Sequence, residues 1–344
     1  MNLHELKVMG RRAAGRLRPA PGGADLAFVL PPPAAGGWVL DAIARELGAR
    51  FTGWDIASCR HGEPLPEARR YFFTHYAYYV AAAARSWRPH GAQSHVFVTH
   101  LEPEKHGIAN DRLARLLRDA AGVLCMNRAL ADTLQRLGVP RDRLHVVVGA
   151  ADSAVYRPHP RTPDGAVGFC SAYYERKSPD MVLEVARRLP HRRIVLLGKG
   201  WDRYPRFDEL RALPNFDYID APYDTYADHY ARMSVFVSVS RLEGGPIPLL
   251  EAMMSNAVPV ASRTGFAPDV IQPGRNGFLF DVDASPDEVC RLIEQAFDLD
   301  ADVAATVREC DWDGYAARVR AAIAGAPSPA TPASVQAMPR EGAR

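Results

Sequence analysis

Hydrophobic residues recur along this chain in short runs separated by longer stretches with a helical repeat. "DLAFVL" (25–30) is followed by a Pro/Gly loop, "PPPAAGG" (31–37), and then by "WVLDAIARELG" (38–48), whose apolar positions fall three and four apart. "RFTGWDI" (50–56), "RYFFTHY" (70–76), "SHVFVTH" (94–100), "GVLCMN" (122–127) and "RLHVVV" (143–148) are further strand candidates. Between them "DRLARLLRDA" (111–120) and "RALADTLQRLG" (128–138) read as helices. Strands alternating with helices predict a parallel sheet covered on both faces.

The alternation pauses at the Pro-rich "YRPHPRTPDG" (156–165) and restarts with "AVGFCSA" (166–172), helix "SPDMVLEVARRL" (178–189), "RRIVLLG" (192–198), "FDYID" (216–220) and helix "YADHYARM" (226–233). "SVFVSVS" (234–240) and "AVPVAS" (257–262) then flank "RLEGGPIPLLEAMM" (241–254) as a βαβ unit, followed by "GFLFD" (277–281) and helix "SPDEVCRLIEQAFD" (285–298). The expected organisation is a basic leader (1–24), a first α/β domain (25–150), a linker (151–165) and a second α/β domain (166–312). A last helix (313–325) and a Pro/Ala/Ser-rich tail (326–344) that reads as disordered would complete it. Two such domains would enclose a cleft suited to a small-molecule site.

Composition narrows the choice. Lys plus Arg (42) nearly balance Asp plus Glu (40), so an anion site must be local and nucleic acid is not an expected partner. No apolar run reaches the length of a membrane span. Cys59, Cys125, Cys170, Cys290 and Cys310 are scattered without a CxxC pair, as in a reducing compartment, and neither a disulfide framework nor a zinc site is expected. The expected location is the cytoplasm. Basic residues among Leu3, Leu6, Met9 and Leu17 would also suit a helix lying on the anionic inner face of a membrane, the alternative being a solvated leader.

The segment 241–254 places one carboxylate, Glu243, at the end of a strand beside Gly244 and Gly245, and a second, Glu251, in the helix that follows. Ligands of parallel sheets sit beyond the carboxyl ends of the strands. Glycines allow close backbone approach to phosphate, and a helix start near Ile247 offers its positive end. Arg176 and Lys177 follow the first strand of the second domain and would supply further positive charge.

These residues resemble the retaining glycosyltransferases of family 4, which have the GT-B fold of two Rossmann-like doubly wound domains facing across a cleft. "EGGPIPLLE" (243–251) matches that family's pattern of two glutamates separated by seven residues, and "EGGPIPLLEAMMSNAVPVASRTGFAPDVIQPGRNGFLFD" (243–281) is the most specific stretch. "PAAGG" (33–37), "VFVTH" (96–100), "LADTLQRLGVPRDRLHVVVGAADSAVYRP" (130–158), "YYERKSPDMVLEVARRL" (173–189) and "IVLLGKG" (194–200) add to it. The resemblance implies transfer of a sugar from a nucleotide-diphosphate sugar to a hydroxyl acceptor (a glycan, a lipid-linked sugar or a small molecule), with retention and without a metal or other cofactor. It implies catalytic roles for Glu243, Lys177, Arg176 and His100. Donor-binding roles follow for Gly36, Gly37, Gly198, Gly200, Gly244, Gly245 and Glu251, the last on the ribose. The family's arginine often lies about five residues before the lysine, where this chain has Ala172, and Arg176 is the replacement that the sequence offers. Two other readings share the fold: a nucleotide-sugar epimerase, and a non-catalytic component that binds a sugar nucleotide.

Overall fold

The computed structural model of the protein describes residues 23–33, 38–85 and 93–325. The leader up to residue 22, Gly36 and Gly37, and the tail 326–344 lie outside the described residues. The chain folds as two units, one running up to Val147 and taking in the last helix from Ala316, the other being Val148–Tyr315.

The first unit is built on a six-stranded sheet of order β2-β1-β3-β4-β5-β6, parallel throughout. Its strands are β1 (Leu26–Leu30), β2 (Ile56–Arg60), β3 (Tyr71–Phe73), β4 (Ser94–Val98), β5 (Gly122–Cys125) and β6 (Leu144–Val146). The central strands β3, β4 and β5 are buried along their whole length, as a sheet covered on both faces requires. The helices of eight residues or more are α1 (Trp38–Arg50), α2 (Tyr76–Arg85), α3 (Asn110–Leu117) and α4 (Arg128–Arg136). Asn127 begins α4 by accepting a hydrogen bond from the Leu130 amide at 2.8 Å, and Leu130, Ala131 and Leu134 form its buried stripe.

Two sequence expectations need correction here. The strand expected at 50–56 starts only at Ile56, because Phe51 and Trp54 are turn residues whose rings pack edge to face at 5.4 Å. The aromatic run after Phe73 turns into α2, which the strand-like density of Phe and Tyr conceals.

The second unit carries a parallel sheet of order β12-β11-β10-β7-β8-β9. Its strands are β7 (Ala166–Cys170), β8 (Ile194–Leu197), β9 (Phe216–Ile219), β10 (Met233–Ser238), β11 (Val258–Ser262) and β12 (Phe278–Phe280). Helices α5 (Pro179–Arg188), α6 (Ile247–Met254) and α7 (Pro286–Phe297) cover it, and α8 (Trp312–Ala324) runs on past Tyr315 into the first unit's residues. Residues 151–165, expected as a linker, are part of this unit. The Arg161 guanidinium donates to the carbonyls of Asn256, Leu299 and Ala301 at 2.9–3.1 Å, which satisfies loop carbonyls left without a ladder. From β7 the chain winds outward through β8 to β9, then returns to lay β10 on the other side of β7. The carboxyl ends of β7 and β10 therefore mark the point where the winding reverses, and α/β sheets place ligands at such points. Among the described residues, no helix is long and apolar enough to cross a membrane.

Candidate functional site

The segments leaving β7 and β10 meet at this reversal. After β7 the chain forms a single 3-10 turn, Glu175–Lys177, closed by the Lys177 amide on the Tyr174 carbonyl at 2.9 Å. Ser178 takes a left-handed φ of 51°, which redirects the chain into α5 at Pro179. The Arg241 amide, just past β10, donates to the Arg176 carbonyl at 2.7 Å and joins the two segments. Their side chains then meet. The Lys177 ammonium pairs with Oε1 of Glu243, while the Arg176 guanidinium lies 3.5 Å from Oε2 and donates to the Leu242 carbonyl at 2.8 Å. Arg176 also lies over the Tyr174 ring, 5.4 Å from its centroid.

Two cations face one carboxylate here, so the cluster keeps a net positive charge. Lys177 and Glu243 line a small concavity with Cys170, Ser171, Ser238, Ser240 and Pro246, and Arg176 stands outside its lining. Burial pushes the Cys170 thiol up to about 12, which keeps it protonated and unsuited to act as a nucleophile.

The Glu243 carboxylate is held by its neighbours as well as by charge. Gly265 has a φ of 54°, and a Cβ at that position would stand 2.9 Å from the Cβ of Glu243 and 3.0 Å from the Gly244 carbonyl oxygen. Only glycine fits both the backbone and the space. Gly265 lies in the segment that resembles the family, but the sequence carries no signal of its contact with Glu243. Gly244 is buried and Gly245 half-buried on the way to α6. Pro246 precedes that helix without a side-chain cap; Pro248 in the first turn has no N–H and the Leu249 amide donates to the Pro246 carbonyl at 2.9 Å, so the helix start keeps only part of its amides for an anion.

Glu251 is 1% exposed and sits in a cage of tyrosines. The Tyr223 hydroxyl donates to Oε1 and the Tyr230 hydroxyl to Oε2 at 3.0 Å, and Tyr156 brings a third hydroxyl to the same carboxylate. Burial holds the carboxyl above its ordinary value, against the opposing pull of these hydroxyls. The expectation of a carboxylate standing open to a ribose therefore needs amending: its oxygens are already engaged by the protein itself. Sequence reasoning missed all three tyrosines, which come from three separate segments.

Gly198 and Gly200 follow β8. Gly198 has a φ of 142°, and a Cβ there would collide with the Ser171 carbonyl oxygen at 2.1 Å, so this glycine lets the turn pack against the segment leaving β7. Gly200, at φ 74°, opens the 3-10 turn Trp201–Arg203. The Trp201 indole then donates to the same Ser171 carbonyl at 2.8 Å.

His100 belongs to the first unit, just beyond β4. Its Nε2 is 3.2 Å from Oε2 of Glu102 and its Nδ1 is 3.0 Å from the Thr99 hydroxyl. Glu102 also approaches His106 at 3.8 Å, and the His106 ring lies 5.0 Å from that of His75. The carboxyl ends of β3 and β4 thus carry a histidine cluster of which the sequence suggested only His100. Glu102 and His106, four residues apart on one short helical turn, could have been found from that spacing. Among the described residues, no group of three or more His, Cys, Asp or Glu side chains is arranged to hold a metal ion.

Comparison with known proteins gives the same picture from another side. A component of the phosphatidylinositol N-acetylglucosaminyltransferase of Arabidopsis thaliana is 24% identical over 196 residues, which are 53% of this chain and 43% of that protein. Sulfoquinovosyl transferase SQD2 of the same plant is 34% identical over 125 residues, 34% of this chain and 23% of that protein. The chain thus matches less than half the length of either. Among solved structures, Anabaena Alr3699/HepE in complex with UDP and glucose has a TM-score of 0.67, covering 88% of this chain and 99% of that chain at 15% identity. The fold is therefore GT-B, and residues 164–297, which carry Arg176, Lys177, Glu243 and Glu251, match the family model of glycosyl transferases group 1.

Proposed function

We propose that the protein is a glycosyltransferase that moves a sugar from a nucleotide-diphosphate sugar to a hydroxyl acceptor, with retention of anomeric configuration as in family 4. The observation that carries this reading is the Arg176, Lys177 and Glu243 cluster beside the uncapped start of α6, where the winding of the second sheet reverses. The relatives' names and the UDP and glucose held by the Anabaena protein support it.

In this reading the diphosphate lies against Lys177, Arg176 and the α6 amides, with Gly244 and Gly245 beneath it. The bond between the anomeric carbon and the diphosphate oxygen breaks, and charge gathers on the departing oxygen. The two cations and the helix end stabilise that charge as it forms. The acceptor oxygen bonds to the anomeric carbon on the same face, and its proton passes to the departing phosphate. Glu243 accepts hydrogen bonds from the transferred sugar, and Glu251 from the ribose. Gly198 and Gly200 border the nucleotide. The cations make a resident metal unnecessary.

The test is a panel of UDP-, GDP-, ADP- and dTDP-sugars scored by the rise in melting temperature, followed by release of nucleotide diphosphate with and without EDTA. A donor that binds only the folded chain stabilises it by mass action. One donor class should raise the melting temperature and be turned over equally with EDTA present. A panel without effect would overturn the reading. Loss of turnover on chelation, restored by Mg²⁺ or Mn²⁺, would overturn the charge assignment.

A further inference from the structure

Among the tyrosines on Glu251, two are buried and one is half-exposed. Tyr230 is fully buried in the short helix Tyr226–Tyr230 and meets the 4%-exposed Tyr156 edge to face at 5.6 Å. Tyr223 is 51% exposed and lies on a one-turn 3-10 helix, Tyr223–Thr225, shortly past the carboxyl end of β9. A surface tyrosine ordinarily packs its ring and gives its hydroxyl to water. Tyr223 packs its ring beside that of Tyr226, centroids 5.1 Å apart, but its hydroxyl is turned inward onto Oε1 of Glu251.

We propose that the Tyr223 hydroxyl is a stand-in for a ribose hydroxyl, holding Glu251 in the nucleotide-free protein and leaving it when a nucleoside diphosphate binds. The inference rests on the reading of this unit as the site of a nucleotide-diphosphate sugar. A ribose offers two neighbouring O–H donors, and an ionised carboxylate is acceptor-only, so one O–H···O contact replaces another when Tyr223 gives way. With Tyr230 fixed on Oε2, Tyr223 is the member of the cage that can yield. The exchange keeps a buried carboxylate satisfied in both states, which an open site would not do. It also makes Tyr223 a determinant of nucleotide affinity, because every bound nucleotide must first break its bond.

The experiment is calorimetric titration of UDP, GDP and ADP into the wild-type chain and into Tyr223→Phe, which keeps the ring and removes the competing hydroxyl. Hydrogen exchange of amides 223–226 in the wild type is followed with and without nucleotide. Tyr223→Phe should bind the preferred nucleotide about tenfold tighter or more, the lower end for a hydrogen bond to a charged group. Exchange at 223–226 should quicken when the wild type is saturated. Binding by Tyr223→Phe alone would be the strongest form of the same result. Equal or weaker binding by a folded Tyr223→Phe, or exchange that slows on saturation, would show that Tyr223 is a fixed part of the site and overturn the proposal while leaving the nucleotide reading intact. Failure of both proteins to bind any of the three nucleotides would remove the reading on which it rests.

Discussion

Glu243 and Glu251 stand at the two ends of one loop and helix, both almost withdrawn from water, and they are kept there by opposite means. Glu243, 8% exposed, is answered by the charges of Lys177 and Arg176. Glu251 is answered by neutral hydroxyls, and burial pushes its proton affinity up. Attraction between opposite charges offsets desolvation at the first site; hydrogen bonds to the carboxylate do so only in part at the second. The difference separates a place suited to charge that appears and disappears from one suited to uncharged hydroxyl groups.

The strongest way to break this contrast is to remove the cation. Lys177→Ala should lower kcat about 100- to 1,000-fold, the scale for losing one group that stabilises developing charge. It should also destabilise the fold by roughly 3 kcal/mol, the low end for breaking a buried ion pair, because Arg176 remains. Steady-state kinetics and a urea melt measure the two effects. A variant with normal turnover would detach the pair from the chemistry.

Gly265→Ala tests whether the backbone support belongs to Glu243 alone. A side chain at its left-handed φ should cost about 1–2 kcal/mol. The added Cβ would press on Glu243 and on the Gly244 carbonyl, so kcat should fall by more than the affinity for free nucleotide diphosphate. Equal losses in both would mean that the two acids are not independent.

The smallest expected effect is a pH dependence specific to Glu251. Its folded pKa lies above the ordinary 4.5, so its contribution to stability is fully present below about that pH and is lost as pH rises through the folded value. Glu251→Gln does not titrate. The melting temperature of Glu251→Gln minus that of the wild type should therefore increase from below pH 4.5 to above neutrality. A difference that shrinks with pH would place the Glu251 shift in the other direction.

Much of this was legible in the chain. Buried parallel strands such as "SHVFV" and "AVGFC" announce themselves as apolar runs, and Glu243 and Lys177 follow strand ends where position alone suggests ligand contact, with Glu251 on the helix that comes next. β2 was misplaced because "IASCR" is a strand on the sheet's edge whose weak apolar content is outweighed by the nearby Phe51 and Trp54. The tyrosine cage was invisible for a different reason. Tyr156 comes from the expected linker, Tyr223 from a 3-10 turn and Tyr230 from a five-residue helix, and only the folded chain brings their hydroxyls to one carboxylate. Gly265 likewise reveals its role through a φ angle and a contact.

The most direct test of the contrast is calorimetric titration of the preferred nucleotide diphosphate into Glu243→Gln and Glu251→Gln, alongside their steady-state kinetics. Glu251→Gln should lose roughly tenfold in nucleotide affinity, since a bond to a charged acceptor is weakened. Glu243→Gln should bind the free nucleotide nearly as the wild type does while its kcat falls. Nucleotide binding abolished by Glu243→Gln and spared by Glu251→Gln would contradict the division of labour between the two acids.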